Sequence, residues 1–456
     1  MPEASIATAK EDMQDMKARE ARILQVVEDL LKEAKKLGAD AAEAGASQDS
    51  GLGLSVRMGE LETIEFSRDS SLGISLYFGQ RKGSASTSDF SAQAIRDTVR
   101  AAADIARFTS ADPYAGLAEA ALMAKDLPDL ELYHPWDIEV EAATELCIRC
   151  EEAGRSLDPR ICNSEGASLS SGTSLHIYGN SQGFLAGYPQ SRHSISCSLL
   201  AGDDRGMQRD YWYSTDRDPA RLKDAAEVGR IAAERTLARL GARGLGTMQA
   251  PVIFRAEVAT SLLRNFTAAI RGGALYRKAS FLLDSLGKPV FPDFVRIHED
   301  PRRPRALSSA PFDNEGVATC AKDLVRDGRV QSYILDSYSA RKLGMATTAN
   351  AGGVRNLSIE SGDLDLDGLM RQMGSGLLVT ELMGQGVNTV TGDFSRGAAG
   401  FWVENGQIAW PVEEITIAGN LKDMFQNLVA VANDHDLPGA TKTGSWLLER
   451  MTIAGN

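Results

Sequence analysis

The sequence reads as an α+β chain in two parts. Residues 1–246 form an N-terminal α/β domain with a mixed or antiparallel sheet and helices, and 247–456 form a β-rich C-terminal domain with a few helices. Three observations predict this. Apolar residues recur at helical spacing in a few long stretches, alternating segments fill the space between them, and the Gly-rich run GARGLGT (241–247) interrupts both patterns. The length agrees: 456 residues suit two or three domains of about 100–200 residues each.

In chain order, Ile23, Val26, Val27, Leu30, Leu31 and Ala34 predict a helix over about 10–37, with Gly38 placed for a left-handed cap. LGLSVRMGELETIEFSR alternates around a Met58–Gly59–Glu60 turn, and SLGISLYFGQRKGSAST predicts two more strands. Ser91 or Asp89 caps a helix reaching about Phe108, and another helix spans roughly 137–156. Five short strands between about 160 and 214 predict an antiparallel meander, and a helix over 218–240 ends at Gly241. The second half opens with the strand APVIF and a helix at about 256–271. Asp327–Gly328 and Asn405–Gly406 each predict a type I′ hairpin. Short helices are expected at about 337–343, 364–373 and 419–432, before a closing strand. TIAGN occurs at 416–420 and 452–456, as equivalent strand ends of one β-structure would.

Composition excludes several function classes. Apolar residues make up 43% and charged residues 24%, so the chain can bury large cores without disulfides or metals. The net charge is −13, and the tightest basic cluster, Arg302, Arg303 and Arg305, is too short to track phosphates, so nucleic acid is not expected as a partner. Five scattered cysteines suit a reducing compartment; Cys147 and Cys150 form a C-x-x-C inside a helical pattern with no second pair at zinc spacing. Glu3, Glu11, Asp12 and Asp15 lie where an export signal needs an apolar core, and no apolar run approaches the ~18 residues of a membrane span. These features predict a cytoplasmic protein.

No catalytic motif stands out. The five histidines are His134, His176, His193, His298 and His435, and the closest pair, 176 and 193, is 17 residues apart. No helix turn can therefore present two imidazoles to one metal, as H-E-x-x-H does. Phosphate-cradling motifs and the G-x-S-x-G elbow are missing. Ser339-Ala-Arg-Lys342 with Lys442-Thr443-Gly444 matches parts of a serine-hydrolase pattern, but no S-x-N lies between them. A metal site of dispersed groups such as Asp313, Glu315 and His298 is the other autonomous alternative. What does stand out is a polar, Gly-rich constellation: Tyr276-Arg277-Lys278, PFDNEG (311–316), LDSYSARKLG (335–344), NAGG (350–353), ELMGQG (381–386) and TGDFSRGAAGFWVENG (391–406). It reads equally as backbone open to an extended peptide or as turns of a β-rich domain.

These same segments, YRKASFLLDSLGKPV, PFDNEGVAT, LDSYSARKLGM, GSGLLVTELMGQGVNTVTGDFSRGAAGFWVENGQI and PVEEITIAGNLKDMF, closely resemble the PmbA (TldE) branch of the TldD/PmbA peptidase family. That family was once labelled modulator of DNA gyrase. The resemblance is densest over about 250–430 and extends more loosely to the N-terminal half. It implies a cytoplasmic heteromeric metalloprotease acting on unfolded or small proteins and on peptide precursors. It also implies a TldD-type partner whose H-E-x-x-x-H helix binds zinc or a similar divalent metal. Here the matching stretch after APVIF, RAEVATSLLRNFTAAIRGG, has no His, and Leu262, Leu263, Ala268 and Ala269 stand in the region of the ligands.

The resemblance thus implies a subunit with no catalytic or metal-ligating residues of its own, binding no cofactor. It would close the chamber while Tyr276, Arg277, Asp313, Glu315, Asp393, Ser395 and Arg396 line an inter-subunit or peptide groove. Without its partner, such a surface is expected to form a homodimer. The alternatives are an autonomous hydrolase of either kind above, or a binding module acting on a partner such as gyrase.

Overall fold

The structure, a computed structural model, describes residues 3–435 and 438–455, with side chains from residue 15 onward. The side chains of Glu3, Glu11 and Asp12, and Asn456 of the second TIAGN, lie outside the described residues. The architecture is α+β, as expected.

The N-terminal half comprises α1 (Glu3–Lys36), β1 (Ala41–Arg57), β2 (Glu60–Phe78), β3 (Arg81–Thr87), α2 (Ala92–Phe108), α3 (Val140–Arg155), β4 (Ile161–Asn180), β5 (Leu185–Asp203), β6 (Gly206–Asp216) and α4 (Ala225–Ala238). Gly38 closes α1 at φ +80°, where a side chain would clash with its own carbonyl. Ser91 caps α2 by accepting from the Ala94 N–H, and Asp89 accepts from both the backbone and the hydroxyl of Ser91.

The six strands form one antiparallel sheet in the order β3-β2-β1-β4-β5-β6. These strands are longer and fewer than the sequence suggests. β1 begins at Ala41, and β2 runs unbroken through Arg68–Ser71, merging two expected strands. The five short strands of the meander are three long ones. The cause is the ladder. Ala-, Ser- and Gly-rich segments have weak intrinsic strand preference, and their neighbours' hydrogen bonds hold them extended.

All four helices cover one face of this sheet. Ala42, Ala44, Ala46, Leu72, Ile74 and Leu76 pack under α1 and α2, while Leu52, Leu54, Val56, Leu169, Ile195 and Leu199 pack under α3 and α4. Even-numbered residues of β1 serve both clusters, so its odd-numbered ones point the other way. Cys147 and Cys150 lie fully buried in this second cluster. Burial pushes the Cys147 thiol up to about 12, and a hydrogen bond with Cys197 raises that of Cys150. Neither is a poised thiolate.

The C-terminal half comprises β7 (Met248–Phe254), α5 (Ala256–Ala269), α6 (Gly272–Tyr276), β8 (Ile297–Glu299), β9 (Lys322–Arg326), β10 (Arg329–Val330), α7 (Ser337–Leu343), β11 (Leu357–Ile359), α8 (Leu366–Met373), β12 (Gly376–Met383), β13 (Asp393–Glu404), β14 (Gln407–Asn420), α9 (Leu421–Gln426), β15 (Leu428–Val431) and β16 (Trp446–Ala454). Both Asx-Gly hairpins form, with φ of 50° and 67° at Asp327–Gly328 and 51° and 75° at Asn405–Gly406. The helix expected to reach 432 stops at Gln426. Leu428–Val431 instead pairs with β16, because a short apolar run carries no period that separates helix from strand.

The main sheet runs β14-β13-β12-β7-β16-β15, and β14 also pairs with β16, closing a circuit of five strands. The closing pair is the repeat itself: Thr416 faces Ala454, Ile417 faces Ile453 and Ala418 faces Thr452. α5 packs Leu262, Leu263 and Phe266 onto Val252 and Phe254 within the largest apolar core, and α8 covers Ile253 and Leu378 on the other side of the sheet. β7 is thus buried on both faces, which explains its unbroken apolar run.

Candidate functional site

The two halves meet across the open face of the N-terminal sheet. Phe312 and Val317 of the loop before β9 pack on Phe184, Ala186, Tyr178 and Tyr188. Arg217, only 2% exposed, ties the halves together. It donates to the carbonyls of Ser191 (3.1 Å), Ala306 (2.9 Å) and Leu307 (2.7 Å), and to Gln190 Oε1 (3.2 Å). Burial lowers its guanidinium to about 10. Arg341 of α7 donates to the carbonyls of Tyr114, Gly116 and Leu117, and Tyr338 donates to Asp112 at 2.6 Å.

Beside this junction opens a cleft of about 1000 Å³. One wall is the polar sheet face, with Glu43, Ser75 and Tyr178; the other carries Asp313, Glu315 and Arg355. Glu43 accepts from Tyr77 at 2.8 Å and Tyr178 at 3.2 Å. Burial first, and Glu43 second, raise both phenols above their ordinary range. A further cleft of about 800 Å³ continues along the serine-rich middle of the sheet and shares Gln190, Arg217 and Leu307 with the first.

The seven groove residues expected from the sequence do not come together in one place. Asp313 and Glu315 line the large cleft as organisers of its wall. Asp313 accepts from the N–H groups of Glu315, Val317 and Ala351, and Glu315 accepts from the N–H and hydroxyl of Ser337. Tyr276 and Arg277 line a separate cleft beside α6 and α7. Arg396 faces a third cleft over α5. Asp393 and Ser395 are exposed at the start of β13, where Asp393 accepts from Thr391 and Asn420. The glycines between them serve backbone packing. A Cβ on Gly386 would sit 1.6 Å from the Ser395 carbonyl oxygen, and Gly316 holds φ +78° against Phe184.

Burial raises the carboxyls of Asp313 and Glu315 above their ordinary values of 3.8 and 4.5. Each therefore holds its proton more tightly folded than unfolded. Their share of stability is complete below the ordinary values and declines as pH rises through the raised, folded ones. Glu315→Gln keeps the acceptor for Ser337 and removes this titration. Its urea midpoint should gain on that of the natural protein as pH rises above the ordinary carboxylate value of 4.5. A difference independent of pH would contradict a raised Glu315.

The two autonomous alternatives are not assembled. Ser339 is buried and donates to Asp336 Oδ1 at 2.6 Å, while Lys342 turns to Asp112 (3.7 Å) and lies over the Tyr114 and Tyr338 rings. The S-x-x-K spacing thus follows a capped helix turn. Thr443 of the K-T-G is fully buried and accepts from the Trp446 indole. His298 pairs with Asp323 at 2.7 Å, away from the backbone donors that hold Asp313, so the dispersed set does not converge. Among the described residues, no three His, Cys, Asp or Glu side chains gather closely enough to hold a metal ion.

The third cleft, about 370 Å³, lies over the exposed face of α5 between the two halves. Glu257, Thr260, Ser261 and Arg264 recur along that face at helical spacing and line it. Sequence reading missed this cleft, although Arg235 on α4 and Arg239 at that helix's C-terminal cap, one turn apart, mark its opposite wall. Arg235 pairs with Asp210 (3.3 Å) and Glu257 (2.8 Å), and Arg239 pairs with Glu381 (2.6 Å). A catalytic metal needs neutral or anionic donors, so a helix face without His and crowded by guanidinium groups does not fit one.

Comparison with known proteins places these features. Residues 42–106, 133–240 and 247–455 match domain 1, the central domain and the C-terminal domain of the PmbA/TldA metallopeptidases. The chain is 50% identical over 442 residues to the metalloprotease PmbA homolog of Haemophilus influenzae, covering 97% of this chain and 98% of that one. The crystal structure of a Bacteroides thetaiotaomicron protein described as a modulator of DNA gyrase superposes with a TM-score of 0.90 at 28% identity, covering 95% of this chain and 98% of that one. TldE from Thermococcus kodakarensis has the same fold, with a TM-score of 0.78 at 19% identity over 94% of this chain and all of that one. Among the described residues no helix is long and apolar enough to cross a membrane. Matched from Ala42 nearly to its last residue, the chain belongs to the PmbA/TldD metallopeptidase family.

Proposed function

We propose that this chain is the PmbA/TldE-type, non-catalytic subunit of a cytoplasmic heteromeric metalloprotease. A TldD-type partner supplies zinc or a similar divalent metal together with the general base. This chain completes the chamber and holds unfolded or small proteins and peptide precursors. The observation that carries the reading is the face of α5, where Glu257, Thr260, Ser261 and Arg264 offer no imidazole. Support for the substrate side comes from the two continuous clefts on the polar sheet face, large enough for an extended peptide. Asp313 and Glu315 shape their wall, while Tyr276, Arg277, Asp393, Ser395 and Arg396 are proposed as contacts to peptide or partner. Co-expression with a TldD-type protein should yield a complex of both chains that survives gel filtration. Recovery of the two as separate species would refute the partnership.

Alone, the chain is expected to pair with a second copy of itself. β3 pairs with β2 only from Leu72 to Phe78, so among the described residues Glu60–Ser70 of β2 is bonded to β1 alone. This free edge exposes Leu61, Ile64 and Phe66, the last 73% exposed. An open apolar edge accepts a further strand. Two copies paired antiparallel about Glu65 set Ile64 against Phe66 and Glu62 against Arg68, each pair worth about 0.2–1 kcal/mol. Phe66→Lys should leave a monomer in light scattering; a dimer indifferent to that change would exclude this edge.

A further inference from the structure

The cleft over α5 has an unbalanced charge. Its three carboxylates, Asp210, Glu257 and Glu381, are taken up by Arg235 and Arg239 across the cleft. Arg209, also on the wall, pairs with Glu165 at 3.3 Å, and Arg264 and Arg396 remain. Among the described residues neither has a carboxylate partner, and Arg396 reaches only the carbonyls of Leu382 and Met383, at 3.3 and 3.4 Å. Burial and the charge of Arg264 both push the Arg396 guanidinium below its ordinary value, so the two cations act on each other. In the same lining, Ser261 Oγ is buried without a hydrogen-bond partner among the described residues. A buried hydroxyl left unpaired is costly, and this one shares its cleft with two guanidinium groups that lack a carboxylate partner among the described residues.

We propose that this cleft is an anion site that takes a carboxylate, held by Arg264 and Arg396 with Ser261 Oγ donating to it. A carboxylate's two coplanar oxygens suit guanidinium donors, and its charge relieves the repulsion between the arginines. A peptide supplies that group from its C-terminus or from an acidic side chain. The site belongs to this chain alone, drawing its walls from β6, α4, α5, β12 and β13. It therefore does not depend on the partner proposed above.

Calorimetric titration of the purified full chain at low salt tests it with four probes: N-acetyl-trialanine, its C-terminal amide, N-acetyl-Ala-Asp-Ala amide and inorganic phosphate. The free-acid tripeptide should bind at least about tenfold more tightly than its amide. Binding of the aspartyl amide would identify a side-chain carboxylate as a second source, and its failure to bind would identify the C-terminus. Arg264→Gln and Arg396→Gln should each weaken the acid by about tenfold without changing the circular dichroism spectrum. Arg264 is exposed, so its variant and the acid–amide comparison decide the matter even if Arg396→Gln does not fold. Equal binding of acid and amide, no binding of the free acid, or binding of phosphate alone would overturn the proposal.

Discussion

Mixed with a TldD-type subunit, this chain should pass from background to chelator-sensitive cleavage of casein. The rise is expected to exceed about 100-fold over either the chain alone or the chain plus zinc, because a hydrolytic metal supplies both the nucleophilic water and charge stabilisation. Zinc alone should not rescue the isolated chain. Two arginines and a serine face the cleft over α5 where ligands would be needed, and a divalent cation placed there would meet uncompensated positive charge. The decisive comparison is cleavage by each subunit and by the mixture, with and without chelator. Robust chelator-sensitive cleavage by the chain alone would sink the proposed division of labour.

Gly229→Val should be the most damaging single change in the N-terminal half. α3 and α4 cross with almost no separation at Gly154 and Gly229. A Cβ on Gly229 would lie 1.8 Å from the Cys150 carbonyl oxygen, and one on Gly154 would lie 2.7 Å from the Gly229 carbonyl oxygen. Both obstacles are backbone, so no rotamer change relieves them. Overpacking of this kind costs about 1–3 kcal/mol where side chains can yield, and more here because they cannot. The effect also reaches function, since α4 carries Arg235 and Arg239 into the cleft between the halves. A lowered urea midpoint, together with weakened carboxylate binding, is the expected signature. An unchanged midpoint would mean that the helices can separate freely.

Local chemistry made much of the fold legible. The left-handed glycine after α1, the serine cap of α2 and the Asx-Gly turns each solve a backbone problem within a few residues, and each stands where the sequence places it. Met58 and Gly59 show how far such a signal reaches. Their turn is readable, but the buried Glu151 that accepts both of its N–H groups at 2.8 Å lies some ninety positions away on α3. The long strands were underestimated for a related reason. Ala41–Ser50 and the Ser171–Gly172 break between two expected strands have no preference strong enough to announce a strand, and only the neighbouring ladders extend them.

The candidate site was legible in the residue types along its helix and not in its geometry. The spacing of five histidines and the apolar residues of α5 follow from the order of residues alone, because a helix fixes which positions share a face. Where Asp313, Tyr276, Arg396 and Ser395 end up does not follow. They are divided among three clefts and an exposed strand end by long-range pairing of strands and by contacts such as those of Arg217 with Ala306 and Leu307. The order of residues carries the family resemblance, the local turns and caps, and the residue types along α5, since these depend on neighbours within a few residues. Which charges face one another emerges with the folded chain, because Coulomb forces and burial depend on distance in space, and residues far apart in sequence set that distance.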